Sequence, residues 1–301
     1  MNFKNHLLSL VEYENLFKDI FSDRQVKKGK VQCNTHLFFI AGIPKSGTTW
    51  LCQLLSQSPG LVQLNTSLLR QYPQHSKLEN IHDVSPQMLS CAPKNRLSFL
   101  KLHLNPYPRN FSILDDYNIR TVVLIRDLRD VLISRLHHIL LIKSHWDYKR
   151  LNNLPNESRL LESMKGIIPE LSVYVIDYFT SWISGWIDKA STDPEKILLI
   201  KYEEMTLDLL SVLKMIYKFY DYPISDNDIN KVIIKQKMKH KNDQKRGLIK
   251  NIKLQGRAKS TFRKGIIGGW QNEFNLEICE FFKEHAGDIL IKSGYENDFL
   301  W

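Results

Sequence analysis

The sequence predicts an α/β fold of the P-loop-like type, with three layers in which helices flank a central, mostly parallel sheet. Several short runs are apolar at every position, which is typical of strands that are buried on both faces of a parallel sheet. Apolar residues at helical spacing follow these runs, and such alternation indicates a doubly wound arrangement. A glycine-containing loop joins the first run to its helix, at the strand end where such folds bind ligands.

Four apolar runs are the predicted strands. They are "HLFFIAG" at 36–42, "LSFLKLHL" at 97–104, "TVVLIRD" at 121–127 and "KILLIKYEE" at 196–204. Helical spacing follows the first run at Trp50, Leu51, Leu54 and Leu55, and the third run at Leu132, Leu136, Ile139 and Leu140. The segment "LDLLSVLKMIYKFY" predicts a helix after the fourth run, and further helices are expected over 157–165, 170–190 and 272–292.

The chain has 301 residues, 43% of them hydrophobic. This length and composition predict a single domain over 1–301, with a helical extension over about 1–30. No run of about 18 apolar residues is present that would span a membrane. The N-terminus lacks the basic start and continuous apolar stretch of a secretory signal. Four scattered cysteines favour free thiols in a reducing compartment over disulfides or a zinc site: Cys33, Cys52, Cys91 and Cys279. A cytoplasmic protein is therefore expected.

The positive charge is concentrated in one block. Of the net charge of +10, the stretch from Lys231 to Lys264 contributes +12, so the remainder of the chain is close to neutral. Such a block attracts anions, which include nucleic acid, acidic lipid and heavily phosphorylated small molecules. A solvated loop without a ligand is the alternative interpretation.

The loop "GIPKSGTTW" has the glycine spacing of a phosphate-binding loop but a displaced lysine. Gly42 and Gly47 are spaced as in G-x-x-x-x-G-K-[ST], yet Thr48 occupies the lysine position and Lys45 lies three residues earlier. Backbone N–H groups and the helix dipole favour an anion here, and Ser46, Thr48 and Thr49 carry hydroxyl donors. At the apex of the loop, Lys45 could face the bridging oxygen of a leaving phosphate, where negative charge develops. A structural turn with accidental glycine spacing is the alternative.

A second anion-binding motif follows the third predicted strand. In "LIRDLRDVLISRLHH", Arg126, Asp130 and Ser134 are four residues apart and share one face if the helix begins early. An arginine and a hydroxyl suit a terminal phosphate, and Asp130 could orient Arg126. A surface ion-pair ladder without a functional role is the alternative.

A candidate base lies at the end of the second predicted strand. In "FLKLHLNPYP", Lys101 and His103 lie on one side of the strand. A histidine there can accept a proton from a hydroxyl near neutral pH, and Lys101 would keep the imidazole neutral and offset charge on the transferred group.

Near the C-terminus, "TFRKGIIGGW" places Arg263, Lys264 and Gly265 together, which suits a polyanionic nucleotide. Nucleic-acid binding by the same basic residues is the alternative, but no nucleic-acid-binding signature accompanies them.

The chain resembles the cytosolic sulfotransferases over roughly residues 35–290. The segments "PKSGTTWL", "KLHL", "RDLRDVLISRLHH", "KYEE" and "FRKGIIGGW" occur in the order seen in that family. The resemblance implies transfer of a sulfuryl group from 3′-phosphoadenosine 5′-phosphosulfate to a hydroxyl or amine of a small acceptor, with adenosine 3′,5′-bisphosphate as the product and without a metal. It also implies a segment over about 231–269 that covers the nucleotide.

The resemblance implies a role for each matching residue. The 5′-phosphosulfate group would be bound by Lys45, Ser46, Gly47, Thr48 and Thr49, and Trp50 would stack on adenine. The 3′-phosphate would be bound by Arg126 and Ser134 and covered by Arg263, Lys264 and Gly265, with Tyr202 near the nucleotide. The expected catalytic residues are His103 as the base, together with Lys45, Lys101 and Ser134.

The chain departs from the family pattern at several positions. Gly269 replaces the aspartate before Trp270, and Asn105 precedes Pro106 where the family has proline directly after the histidine motif. Of the family's dimerisation stretch only Glu280 is kept, because Gln271 and the pair Asn275-Leu276 replace the usual lysine and Thr-Val. A monomer or a non-standard dimer is therefore expected.

Two other classes of function remain open on the sequence. A P-loop kinase that uses ATP and Mg²⁺ would place Asp127 at the end of a Walker B strand, but it lacks lysine after Gly47. A non-enzymatic binder of nucleotide or nucleic acid is the other.

The acceptor pocket is predicted to involve segments 65–90 and 143–156, which offer Tyr72, Trp146 and Tyr148 to an apolar or aromatic alcohol. No membrane or nucleic-acid partner is expected.

Overall fold

The computed structural model describes residues 37–64, 83–86, 89, 97–168, 171–250 and 267–301, with side chains between 226 and 250 described as far as 238. The chain divides into two compact units. The first comprises Met1–Ile125 and Ser181–Ile233, and the second comprises Arg126–Thr180 and Ile234–Trp301. A single domain over 1–301, with a helical extension at its start, stays a prediction, and that extension lies outside the described residues.

A five-stranded parallel sheet forms the centre of the first unit, in the order β2-β3-β1-β4-β7. A two-stranded antiparallel sheet of β5 and β6 belongs to the second unit. The strands are β1 (Leu37–Ala41), β2 (Val62–Gln63), β3 (Ser98–Leu102), β4 (Thr121–Ile125), β5 (Ile167–Ile168), β6 (Val173–Tyr174) and β7 (Ile197–Lys201). Each of the four predicted strands is present within its predicted run, which confirms the α/β prediction with a parallel sheet.

Ten α-helices are described besides one short 3₁₀-helix at Gly269–Asn272. They are α1 (Thr48–Leu55), α2 (Pro108–Asp116), α3 (Leu128–Leu141), α4 (Tyr148–Asn152), α5 (Arg159–Met164), α6 (Val175–Thr192), α7 (Tyr202–Leu207), α8 (Leu209–Phe219), α9 (Asp226–Lys250) and α10 (Leu276–Lys292). The helix after β7 is divided in two at Asp208, whose carboxylate accepts a hydrogen bond from Ser211 N at the start of α8. Among the helices of the described residues, none is long and apolar enough to cross a membrane.

Much of the basic block is helical rather than a loop. The helix α9 extends to Lys250, so it contains the first part of the segment predicted to cover a nucleotide. Residues 251–266 lie outside the described part of the chain. The covering role of 231–269 therefore stays a prediction.

The core of the first unit is formed by the apolar strands and the buried faces of α1 and α8. The side chains of β1, including Phe39 and Ile40, are buried, which explains why its sequence is apolar throughout. Tyr220 inserts its hydroxyl between two neighbouring strands, where it donates to Phe39 O at 2.7 Å and accepts from Val122 N at 3.1 Å. Burial raises the pKa of Tyr220 well above its ordinary value, so the hydroxyl keeps its proton.

Candidate active site

The loop between β1 and α1 is a tight turn with two residues in the left-handed region. Lys45 has a φ of 76° and Gly47, which precedes the first residue of α1, has a φ of 99°. A lysine in this region is strained, so the surrounding contacts must stabilise it. Ser46 is fully buried, and both its backbone N–H and its hydroxyl donate to Ile43 O, at 3.2 and 2.9 Å. In this structure the Ser46 hydroxyl therefore holds the loop itself.

Both glycines of the loop occupy positions that a side chain could not share. A Cβ atom at Gly42 would lie 2.5 Å from Thr48 Cγ2 and 2.9 Å from the backbone oxygen of Leu124. A Cβ atom at Gly47 would lie 2.5 Å from Cδ2 of Tyr202. The glycine spacing found in the sequence is therefore required by close packing, which argues against accidental spacing.

The first turn of α1 is connected to β3 through Lys101. The Lys101 ammonium lies 3.5 Å from Thr49 Oγ1, a long hydrogen bond. Burial lowers the pKa of Lys101, and its proximity to Cys52 acts in the opposite direction. Burial also raises the pKa of the Cys52 thiol to about 12, so Cys52 behaves as a neutral core residue. His103, Lys101 and the loop all lie in the first unit.

His103 is held by the first residue of the loop. Its Nδ1 atom lies 2.5 Å from Gly42 O. Because a carbonyl oxygen only accepts, Nδ1 must carry the proton, and a neutral imidazole then has its lone pair on Nε2. The backbone beside it is also fixed, since the buried Trp186 indole donates to Leu104 O at 3.0 Å. Trp186 was not predicted as part of the site, because no spacing in the sequence relates it to the strand that it supports.

The rings of Tyr202 and Trp50 lie close to each other beside the loop. Tyr202 is the first residue of α7, directly after β7, and its ring centroid lies 5.7 Å from that of Trp50 in an edge arrangement at 66°. The tyrosine ring also covers Gly47. Both rings are partly exposed, so both can contact a ligand. The predicted nucleotide contacts Trp50 and Tyr202 are therefore neighbours of the loop.

The second predicted anion-binding motif lies in the second unit. The helix α3 begins at Leu128, so Arg126 precedes it, and Asp130 and Ser134 are one turn apart on the helix. Arg126 Nη2 nevertheless lies 3.5 Å from Asp130 Oδ2. The prediction assumed that the helix begins early enough to include Arg126. The contact between Arg126 and Asp130 forms although the helix begins two residues later. Asp127 caps the helix by accepting from Arg129 N at 2.9 Å.

Asp130 also binds the turn that precedes α10. Its two carboxylate oxygens accept from Gly268 N and Trp270 N, each at 3.0 Å. The Arg129 guanidinium lies 3.8 Å from the centroid of the Trp270 ring and binds Asp127 and Glu296. Trp270 is thus held through both its backbone and its ring. The sequence suggested Asp130 as a partner of Arg126 but gave no sign of this turn.

The remaining predicted residues are distributed as follows. The described residues of 143–156 include α4, the exposed Trp146 and His145, whose pKa is lowered to about 4 by burial and by Arg135. Tyr72 and the residues Arg263, Lys264 and Gly265 lie outside the described residues, so their roles stay predictions. Within the described part of the chain, no cluster of three or more His, Cys, Asp or Glu side chains could hold a metal ion.

Comparison with known proteins identifies the family. Residues 36–294 match the family model described as the sulfotransferase domain. Sulfotransferase 1E1 of Cavia porcellus is 27% identical over 256 residues, which cover 82% of this chain and 80% of the relative. Sulfotransferase 2A6 of Mus musculus is 26% identical over 259 residues, which cover 82% of each chain.

Solved structures agree in fold. The crystal structure of mouse sulfotransferase SULT7A1 complexed with PAP has a TM-score of 0.60 at 18% identity, and the match covers 87% of this chain and 86% of that one. Retinol dehydratase in complex with androsterone and PAP has a TM-score of 0.55 at 18% identity, with 86% and 82% covered. With the family model matching most of its length, the chain belongs to the sulfotransferase family of enzymes.

Proposed function

We propose that this protein transfers a sulfuryl group from 3′-phosphoadenosine 5′-phosphosulfate to a hydroxyl or amine of a small acceptor. One observation carries the proposal: the loop that would bind the phosphosulfate and the histidine that would act as base are joined by the hydrogen bond between Gly42 O and His103 Nδ1. A base held directly to the anion-binding loop is what an in-line transfer between bound groups requires.

The residues around the loop fit the donor. The N-terminus of α1, the left-handed turn at Lys45 and the close approach at Gly42 and Gly47 make a cradle for an anion without room for a side chain. Lys45, Ser46, Gly47, Thr48 and Thr49 would bind the phosphosulfate, and Trp50 and Tyr202 would contact the nucleoside. PAP is bound in the related structures of SULT7A1 and retinol dehydratase, and its binding here is part of the proposal.

The chemistry assigns a role to each side chain. His103 Nε2 accepts the proton of the acceptor hydroxyl as its oxygen bonds to sulfur. Lys45 offsets the negative charge that develops on the bridging oxygen as the bond from sulfur to that oxygen breaks. Lys101 neutralises charge on the transferred group. Arg126 and Ser134 bind the 3′-phosphate, and Ser134 is also among the proposed catalytic residues.

The acceptor is proposed to be a small apolar or aromatic alcohol or phenol. Support comes from the exposed Trp146 and the neighbouring Tyr148 in the segment 143–156. Retinol dehydratase is bound to androsterone in one related structure and to retinol in another, and both ligands are apolar alcohols. We also propose that the protein is a monomer or a non-standard dimer and that it acts in the cytoplasm. It is proposed to have no nucleic-acid or membrane partner.

The test is transfer of radiolabelled sulfate from the donor to a panel of phenols, steroids, sugars and small alcohols. We expect transfer by the wild-type protein, and we expect His103→Ala to abolish turnover while adenosine 3′,5′-bisphosphate still binds. His137→Ala is the control, because His137 is an exposed histidine in α3. Wild-type turnover in His103→Ala would remove His103 from the mechanism. ATP consumption that requires Mg²⁺ would instead favour the kinase alternative.

A further inference from the structure

The carboxylate of Asp130 is engaged from three directions within the second unit. Its Oδ1 atom accepts from Trp270 N, while Oδ2 accepts from Gly268 N and lies 3.5 Å from Arg126 Nη2. The Asp130 side chain is 3% exposed and that of Arg126 is 12% exposed. This buried carboxylate therefore connects a phosphate-binding candidate to a backbone turn.

The charged groups next to Asp130 are paired with one another and do not compete for its carboxylate. The adjacent carboxylate of Asp127 binds the Arg129 guanidinium at 2.8 Å, so its charge is offset locally. Arg129 in turn lies over the Trp270 ring and pairs with Glu296 at 2.5 Å, so the ring of Trp270 is held as well as its backbone. Two N–H donors from a fixed turn hold the Asp130 carboxylate in one orientation, because both of its oxygens have directional partners.

An amide in place of the carboxylate cannot satisfy this arrangement. Asparagine at position 130 has one acceptor oxygen, so at least one of the two backbone N–H groups would face the NH₂ group. Arg126 would also lose the negative charge beside it. A guanidinium that is not held in orientation binds phosphate less well, since its bidentate geometry depends on alignment.

We propose that Asp130 and the turn Gly268–Trp270 are the positioning support of Arg126, and that they set the preference of this protein for a nucleotide with a 3′-phosphate. Asp130 is a positioning residue, because it acts through Arg126. The inference rests on the proposed function, in which Arg126 binds the 3′-phosphate of the donor. It goes further by assigning 3′-phosphate selection to residues that need not contact the ligand.

Calorimetric titration with adenosine 3′,5′-bisphosphate and with adenosine 5′-monophosphate measures this selection as a ratio of affinities. We expect Asp130→Asn to lower the ratio by about tenfold, the effect of weakening one charge-assisted contact to phosphate, with the monophosphate affinity little changed. Asp147→Asn is the matched control. Asp147 is an equally buried carboxylate of the second unit, paired with Arg150 at 2.7 Å, so its loss lowers stability without altering the ratio.

A double-mutant cycle shows whether Asp130 acts through Arg126. In an Arg126→Ala background, Asp130→Asn should leave the ratio unchanged. If Asp130→Asn does not fold, Gly268→Ala perturbs the same turn without changing any charge. Gly268 has a φ of 72° and open space around it, so alanine there strains the turn without a clash and should lower the ratio in the same direction.

The outcomes separate this inference from the proposed function. A wild-type protein with no preference for the bisphosphate would contradict the proposed function itself. A wild-type preference that survives intact in Asp130→Asn, or that falls equally in Asp147→Asn, would overturn the positioning role of Asp130 alone.

Discussion

His103 Nδ1 and the carbonyl oxygen of Gly42 are 2.5 Å apart, so the end of β3 is joined to the start of the anion-binding loop. The bond fixes which nitrogen carries the proton and therefore which one can accept another. It also makes the position of the imidazole depend on the backbone that follows β3. That backbone has its own support in Trp186, which donates to Leu104 O.

Trp186→Phe should lower turnover by about tenfold without changing donor affinity, because a shift of the backbone beside His103 misaligns the base. Trp182→Phe is the control. Trp182 is equally buried, but its indole N–H has no hydrogen-bond partner among the described residues, so the substitution removes packing alone. Steady-state kinetics and thermal unfolding of both variants test this. Equal losses of turnover would refute a specific role for the hydrogen bond.

Lys101→Met should raise the melting temperature at neutral pH while lowering sulfuryl transfer. Burial lowers the pKa of Lys101 below 10.5, so the charged ammonium costs folding free energy at neutral pH. The stability that a lowered pKa contributes is fully present above 10.5 and is lost as the pH falls through the folded value. The advantage of methionine should therefore be constant below the folded pKa of Lys101 and shrink as the pH rises from that pKa to 10.5. Differential scanning calorimetry across pH measures it, and a lower melting temperature at neutral pH would contradict the argument.

Gly47→Ala should reduce affinity for adenosine 3′,5′-bisphosphate by more than about tenfold. The added Cβ atom meets the Tyr202 ring, so the loop, the ring or both must move. Gly60→Ala is the control, since Gly60 has a φ of 78° and nothing within 4 Å. Both variants lose about 1–2 kcal/mol from left-handed strain, and only the first disturbs the loop. Equal affinities measured by titration would show that the cradle tolerates a side chain.

Tyr220→Phe should lower the free energy of unfolding by about 1–3 kcal/mol, because it leaves Phe39 O and Val122 N buried without the hydroxyl that joins them. Tyr222→Phe is the control, since the Tyr222 hydroxyl donates to Pro59 O at an exposed site. Urea unfolding of the two variants compares them. A loss no larger than that of Tyr222→Phe would show that the strands do not need this bridge.

The strands were predictable from the sequence because both faces of a parallel sheet are buried, and this forces an uninterrupted apolar run such as that at β1. The loop was predictable because close packing at Gly42 and Gly47 admits only glycine, and the spacing of those glycines is visible in the sequence. These features are local in the chain. A short stretch of consecutive residues is therefore enough to predict each of them.

Contacts between distant segments were not predictable. Trp186 supports Leu104 and Asp130 holds Gly268, and no spacing in the sequence relates either pair. The helix α9 was not predicted either, because the basic block was interpreted through its charge alone, as an anion-attracting segment or a solvated loop. The two contacts depend on how the fold brings distant segments together, and a single sequence carries no signal for that.

The burial of Thr48 bears on any attempt at redesign. Its side chain is 3% exposed, and its methyl group fills the space above Gly42. A lysine placed there to imitate an ATP-binding loop would have to force an ammonium group into this filled space or unwind the first turn of α1. Exchange of one nucleotide donor for another would therefore demand a rebuilt loop rather than a single substitution.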